Sequence, residues 1–363
     1  MRQTRLEISL NALEHNAREI RGALPASVKM MAIVKADAYG HGAPEFALRL
    51  QEAGADALAV ALVEEGIALR ERGVRLPILV LGGADESSFA DAIAYDISLA
   101  VYDIASLRGL ERAAGDGFAS AHLKIDTGMS RVGVRSAEAL EAMLDAWKDC
   151  PHVRMDGIFT HFCVADEDLM FTRLQNERFE AALRRVRAAG YRPVAHAAAT
   201  SACMKPEFQH DMVRPGIGLY GALLPELEGR LQLAQTLVTR PLRIETISAG
   251  DTVGYGRTFT AKRETRIMTL PIGYGDGYPR LLSNRAEVLV KGRRAPVAGN
   301  VCMDMLMVDI TDVPGVTLED DVVLMGRQGN DCVSPEELAR LAETIPYEIM
   351  LGFSARVHRV IGA

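Results

Sequence analysis

Lys35 closes an apolar, partly β-branched run, Met30 to Val34, and opens the string Lys35-Ala-Asp-Ala-Tyr-Gly-His-Gly42. A lysine is almost never fully buried without a partner. At the carboxyl end of a core strand its amine points into whatever cleft lies there. Two uses follow: it snorkels to water, or, with a lowered pKa, it attacks an aldehyde and forms a Schiff base. Other polar residues stand at similar places. Lys124 lies in an apolar run followed by Asp126 to Arg131, His161 and Arg214 end two further runs, and Ser201 follows another. In Arg214-Pro-Gly-Ile-Gly-Leu-Tyr-Gly221, the residues Gly216, Gly218 and Gly221 spell the dinucleotide fingerprint. That motif needs a βαβ unit and an acidic residue about 20 positions on. The chain reads Arg240-Pro241 there, so a dinucleotide site is disfavoured. The glycines either form tight turns or let backbone N–H groups approach an anion such as phosphate.

Positioning these groups requires particular elements. Arg5 to Leu10 reads as a short strand, followed by a helix over Asn11 to Gly22 with Asn11 as N-cap. Eight candidate strands follow: Met30–Val34, Ala57–Ala61, Ile78–Leu81, Ile97–Val101, Ala121–Ile125, Met155–Thr160, Val194–Ala198 and Asp211–Arg214. Helical stripes separate most of them, such as Phe171, Leu174, Phe179, Ala182, Leu183 and Val186. Such alternation means a parallel sheet with crossover helices, and eight units fit a closed (β/α)8 barrel. The helix between the seventh and eighth strands is not evident. Barrel enzymes carry their sites at the carboxyl ends of the strands, so Lys35, Lys124, His161, Ser201 and Arg214 are expected on one rim.

After Gly229 the pattern changes. Strand-like runs Leu237–Ile247, Thr265–Ile272, Ala286–Val290, Ala295–Ala298, Met305–Ile310 and Asp321–Met325 come without long helices. The expectation is an α/β chain: a barrel over residues 1–229, then a mainly antiparallel β domain over 230–363.

The net charge of −7, from 41 basic and 48 acidic residues, argues against a general nucleic-acid or acidic-membrane binder. The five cysteines lack C-x-x-C spacing, which gives no disulfide framework and no zinc template. The histidines show no helical H-x-x-x-H pattern, so no metal is expected. The N-terminus lacks a signal-peptide core and no run approaches the roughly 18 apolar residues of a membrane span. A cytoplasmic enzyme is the simplest expectation.

The string from Ile33 to Gly42 resembles the cofactor-lysine motif of alanine racemases, pyridoxal 5'-phosphate enzymes with a barrel followed by a β domain. The resemblance recurs in Leu123-Lys-Ile-Asp-Thr-Gly-Met-Ser-Arg-Val-Gly133, in the glycine segment after Arg214, in Val253-Gly-Tyr-Gly-Arg257, in Ile272-Gly-Tyr-Gly-Asp-Gly-Tyr278 and in Val301-Cys-Met-Asp304. It implies that Lys35 carries the cofactor and that Arg214 meets its pyridine nitrogen. Gly216 and Ile217 help hold its phosphate, with Tyr39, Ser201 and Tyr347 as hydroxyl donors. It implies Arg131, Tyr274 and Met303 near the substrate, and Lys124 as a lysine that carbon dioxide can carbamylate to orient Arg131. Thr200 departs from the pattern, which has asparagine there.

Racemisation removes a proton from one face of a planar centre and returns it on the other, so two bases are expected. The resemblance makes them Lys35 and Tyr255. A free tyrosine has a pKa of about 10 and needs cationic neighbours, a role that falls to His161 and Arg214. Alanine is the implied substrate, and a homodimer with shared sites is the implied assembly. The alternatives are a serine or broad-specificity racemase, a basic amino-acid decarboxylase of the same plan, and a non-catalytic pyridoxal phosphate-binding protein.

Overall fold

The computed structural model describes residues 3–362 and falls into two units. One spans Leu13–Gln232; the other joins the segment through Ala12 to the chain from Leu233 on.

The first strand, β1 (Arg5–Ser9), buries Leu6 and Ile8 and leaves the intervening residues partly exposed. Its alternation suits a strand with one covered face. The following helix runs from Leu10 to Ala23. Its cap is Ser9, whose Oγ accepts the Ala12 N–H at 3.1 Å. The expected cap at Asn11 is therefore displaced: Asn11 already lies inside the first turn.

All eight expected barrel strands form. They are β2 (Lys29–Ile33), β3 (Ala57–Val60), β4 (Ile78–Val80), β5 (Ile97–Val101), β6 (Ala119–Lys124), β7 (Val153–Phe159), β8 (Val194–Ala199) and β9 (Met212–Arg214). They pair in parallel in sequence order, and β9 closes the barrel on β2 through Lys29 with Met212 and Met30 with Val213. Every residue of β3 and β4 is buried, as expected of strands covered on both faces. Three of the crossover helices start at side-chain caps: Asp103 accepts from Ser106 N–H, Ser136 from Ala139 N–H and Asp168 from Phe171 N–H. Between β8 and β9 there are only short turns, Thr200–Cys203 and Pro206–Phe208. The missing helical pattern there has this plain cause.

The other unit is built from β10 (Gln235–Thr239), β11 (Arg243–Ile247), β12 (Thr252–Val253), β13 (Phe259–Thr260), β14 (Thr265–Leu270), β15 (Glu287–Val290), β16 (Arg293–Pro296), β17 (Leu306–Asp309), β18 (Val322–Gln328), β19 (Asp331–Val333) and β20 (His358–Gly362). Its main sheet runs β16-β15-β18-β10-β1-β20, with β19 added on β18. Pairing is antiparallel except between β1 and β20. The single run expected over Leu237–Ile247 is two strands, split around Pro241, which has no N–H to give a ladder. The expectation that residues 1–229 form one barrel domain also needs amending. β1 sits between β10 and β20 and so belongs to this second sheet.

Candidate active site

β2 ends at Ile33, and Lys35 follows after the single buried residue Val34. The next turn is left-handed: Ala36, Asp37, Ala38 and Tyr39 have φ of 52°, 54°, 52° and 55°. Left-handed backbone costs an L-residue roughly 1–2 kcal/mol each, so other contacts must hold it. Glu65 Oε1 accepts the Ala36 N–H at 2.6 Å, and Asp37 Oδ1 accepts the Ala43 N–H at 2.8 Å. The Tyr220 hydroxyl donates to Ile33 O at 2.9 Å. The rings of Tyr39 and His41 lie 4.9 and 4.6 Å from that of Tyr220. A helix then runs from Ala43 to Glu52. The turn fixes where Lys35 leaves the strand and places Tyr39 inward, buried.

Arg214 ends β9 and is almost fully buried. Its Nη2 donates to Thr160 O at 2.7 Å and Ala197 O at 2.8 Å, and lies 3.4 Å from His161 Nδ1. Its Nη1 donates to His196 Nδ1 at 2.9 Å. Burial pushes the guanidinium pKa down to about 9, so it stays a cation at neutral pH. Lys124, at the end of β6, is also buried, and its amine faces the Phe159 ring. Burial, then Arg214 and Arg131, lower its pKa to about 7. Burial pushes His161 well below its usual range, reinforced by Arg214, Lys124, Arg131 and Lys35 in that order. Lys35 itself is lowered by burial and then by Arg131, with Glu65 opposing. Four of the five expected rim residues, Lys35, Lys124, His161 and Arg214, thus share one electrostatic neighbourhood with Arg131, and its sign is positive.

The segment after Arg214 supplies bare backbone. A Cβ on Gly216 would fall 2.7 Å from the Tyr39 hydroxyl, so only glycine leaves that space open. Ile217 opens a short 3-10 turn, Ile217–Tyr220, so its N–H lies outside the helical ladder. Thr200 Oγ1 accepts the N–H groups of Gly216 at 2.9 Å and Gly218 at 3.4 Å. Threonine therefore takes up the local hydrogen bonding that its departure from the family pattern had put in question. Ser201 is half-buried in the same turn.

Tyr255, Tyr274, Met303 and Tyr347 lie in the other unit. Tyr255 is 74% exposed, Met303 53% and Tyr274 43%. One segment connects these three: Asn300 Nδ2 donates to Tyr255 O at 2.7 Å, Cys302 O accepts from Tyr274 N–H at 3.0 Å, and Met303 O from Gly275 N–H at 2.9 Å. Arg356 clamps the same loops, with Nε 3.3 Å from the buried Asp276 carboxylate and Nη2 2.6 Å from Asp304. Tyr347 is on the short helix Pro346–Leu351 and is half-buried.

Sequence reasoning missed Glu65, Phe159, Tyr220 and the inward use of His122 and His196. A signal existed for His122, which is two residues before Lys124 on one strand and so shares its face. Among the described residues, no cluster of three or more His, Cys, Asp or Glu has the arrangement of a metal site. No helix among them is long and apolar enough to cross a membrane.

Comparison with known proteins covers nearly the whole chain. Residues 8–224 match the family model for the alanine racemase N-terminal domain, and residues 234–361 that for the C-terminal domain. The alanine racemase of Symbiobacterium thermophilum is 44% identical over 100% of this chain and 98% of its own. That of Sorangium cellulosum is 42% identical over 99% of each. Among solved structures, the Bacillus anthracis alanine racemase with bound L-Ala-P has a TM-score of 0.91 at 34% identity, covering 100% of this chain and 96% of its own. The biosynthetic alanine racemase of Pseudomonas aeruginosa has a TM-score of 0.90 at 33% identity over 100% of both chains.

Proposed function

This chain belongs to the alanine racemase family, and from that premise we propose that it interconverts L- and D-alanine through two opposed proton carriers, Lys35 and Tyr255, with pyridoxal 5'-phosphate as cofactor. The racemase activity follows from family membership along both domains. The residue roles rest on one observation: Lys35, Lys124, Arg131, His161 and Arg214 converge at the carboxyl ends of the barrel strands.

The residues present fit the cofactor. Lys35 offers an amine of lowered pKa for its aldehyde, and Arg214 a buried guanidinium for its ring nitrogen. Tyr39 and Ser201 offer hydroxyls and Ile217 an N–H around space that a Cβ at 216 would fill, while the Gly216 N–H is held by Thr200 Oγ1 and Gly216 contributes the room. Tyr347 is assigned the further hydroxyl contact to phosphate. When bound, the cofactor supplies an electron sink that acidifies the substrate α-carbon. Arg214 does not readily release a proton, so it keeps that sink weak, which favours proton exchange over transamination. Lys35 Nζ serves one face of the α-carbon and Tyr255 Oη the other. Arg214 supplies a fixed positive charge to the site, and His161, kept neutral by burial, lies 3.4 Å from its Nη2. Arg131 receives the substrate carboxylate, and Tyr274 and Met303 close around the small side chain.

Tyr255, Tyr274 and Met303 are large, exposed and linked through one loop. Contiguous exposure of this kind marks a surface that another protein covers. The assigned occupant is a second copy of this chain, giving a two-fold homodimer in which each β unit completes the partner's barrel site.

The test begins with L-alanine, whose optical rotation should decay to zero. Tyr255→Phe should keep the cofactor's absorption yet racemise about 10²–10⁴-fold more slowly, with one-sided exchange in deuterated water. Near-wild-type racemisation by that variant would remove Tyr255 from the mechanism. Borohydride should fix the cofactor on the peptide containing Lys35, and labelling at another lysine would overturn that assignment.

A further inference from the structure

Inside the barrel, behind Arg214, two histidines form a chain that the proton transfers do not use. Arg214 Nη1 lies 2.9 Å from His196 Nδ1, and His196 Nε2 lies 2.8 Å from His122 Nδ1. All three side chains are buried. We propose that His122 is a positioning residue for Arg214, acting through His196 as the far end of a one-directional hydrogen-bond chain. The inference rests on the reading that Arg214 faces the cofactor ring.

The direction follows from donor counting. Arginine has N–H donors and no acceptor. His196 Nδ1 must therefore accept, which leaves its proton on Nε2. That proton points at His122 Nδ1, which must accept in turn, so His122 carries its proton on Nε2. Burial and then the Arg214 charge keep both rings neutral. A single tautomer of each ring satisfies both bonds. If His196 took the other tautomer, two N–H groups would face each other at Arg214.

The backbone gives way to accommodate this chain. The β6–β7 register shifts between Ala121 and His122, and the β8–β9 register shifts between His196 and Ala199. Opposite His122 stands Gly157, where a Cβ would fall 2.2 Å from His122 Nδ1. Glycine is the residue that leaves room for the ring. Phe159 then stacks on His196 with centroids 4.9 Å apart and planes 3° apart, fixing the ring's rotation. Buried polar networks are costly unless every member is satisfied, and here each bond depends on the one before it.

The experiment uses cofactor-loaded enzyme with nitrogen-15 histidine, because imidazole shifts distinguish a protonated nitrogen from a bare one. Both His196 and His122 should carry the proton on Nε2. His122→Asn keeps an acceptor near the Nδ1 position and should preserve the His196 tautomer and kcat within about twofold. His122→Leu removes the acceptor, and Gly157→Ala displaces the ring. Each should mix the His196 tautomers, shift the cofactor absorption band and lower kcat about tenfold, the size of one lost hydrogen bond. KM for alanine should move less. A proton on Nδ1 of either ring in the wild type overturns the proposal, even if the leucine variant does not fold. So does a folded His122→Leu with wild-type absorption and kcat. Absence of racemisation in the wild type would instead overturn the reading of the site and leave the tautomer result standing.

Discussion

Lys124 Nζ stands 4.2 Å from the centroid of the Phe159 ring. A desolvated ring face attracts a cation by roughly 2 kcal/mol. Burial, Arg214 and Arg131 outweigh that attraction and bring the amine down to about 7. Asp126 pulls the other way, but its Oδ1 is engaged by the N–H groups of Gly128 and Ser130. A neutral amine is the form that attacks carbon dioxide; with loss of one proton to solvent the product is a carbamate anion suited to Arg131. Carbon-13 bicarbonate should therefore give a carbamate resonance that is absent in Lys124→Ala. Without bicarbonate, native Lys124 binds fewer protons than the unfolded chain between its folded pKa of about 7 and its ordinary 10.5. Stability should then rise with pH across that window and fall as pH drops through it. Carbamylation should flatten this slope. A bare ammonium in full bicarbonate, with full activity, would reject the idea.

Lys35 makes a second pH prediction. Its amine is lowered by burial and then by Arg131, so the reactive neutral form persists to lower pH than for a free lysine. Cofactor-free protein should capture pyridoxal phosphate with a midpoint pH below 10.5. Arg131→Gln should move that midpoint upward by removing the like charge, while burial still keeps it depressed. Stopped-flow absorbance against pH decides; an unmoved midpoint would separate Arg131 from Lys35.

Thr200 should matter beyond its size. Its hydroxyl accepts from Gly216 N–H at 2.9 Å in a fully buried place. Thr200→Val preserves shape and leaves that donor unpaired, costing about 1–3 kcal/mol. Thr200→Ser should retain most of the stability. Urea unfolding of the two variants, alongside cofactor affinity, measures the difference. Equal midpoints would show that the bond contributes nothing.

What the sequence disclosed follows from how local each cause is. The barrel strands are short apolar runs, and each is legible because both faces of the strand are buried. Lys35, Lys124 and Arg214 are legible because a charge that ends such a run has few places to point. The left-handed turn of Ala36 to Tyr39 is not legible, since neither alanine nor tyrosine prefers that backbone; Glu65 and Tyr220 impose it from afar. β1 shows the same divide. Its alternation announces a strand, but its partner β10 lies beyond the whole barrel and its partner β20 at the other end of the chain. The histidine chain fails for a related reason: His122 and His196 are ordinary barrel residues until β6 and β8 bring them within 2.8 Å.

The shared-site assembly makes the last prediction. Lys35 belongs to the barrel unit and Tyr255 to the other, where it is 74% exposed. Two carriers on opposite faces of one carbon must nevertheless be about a substrate's width apart. If each site takes its tyrosine from the partner subunit, Lys35→Ala and Tyr255→Phe are defects in different halves of a site. In a mixed dimer both defects fall in one site and the other site is intact. Mixing the two inactive proteins, with exchange verified by differently tagged subunits, should then restore activity toward one quarter of the wild-type value: half the dimers are mixed when exchange is random, and each carries one working site of two. A site completed within one chain would leave every site defective. Demonstrated exchange without any return of activity would therefore place Lys35 and Tyr255 in the same subunit's site and overturn the shared arrangement.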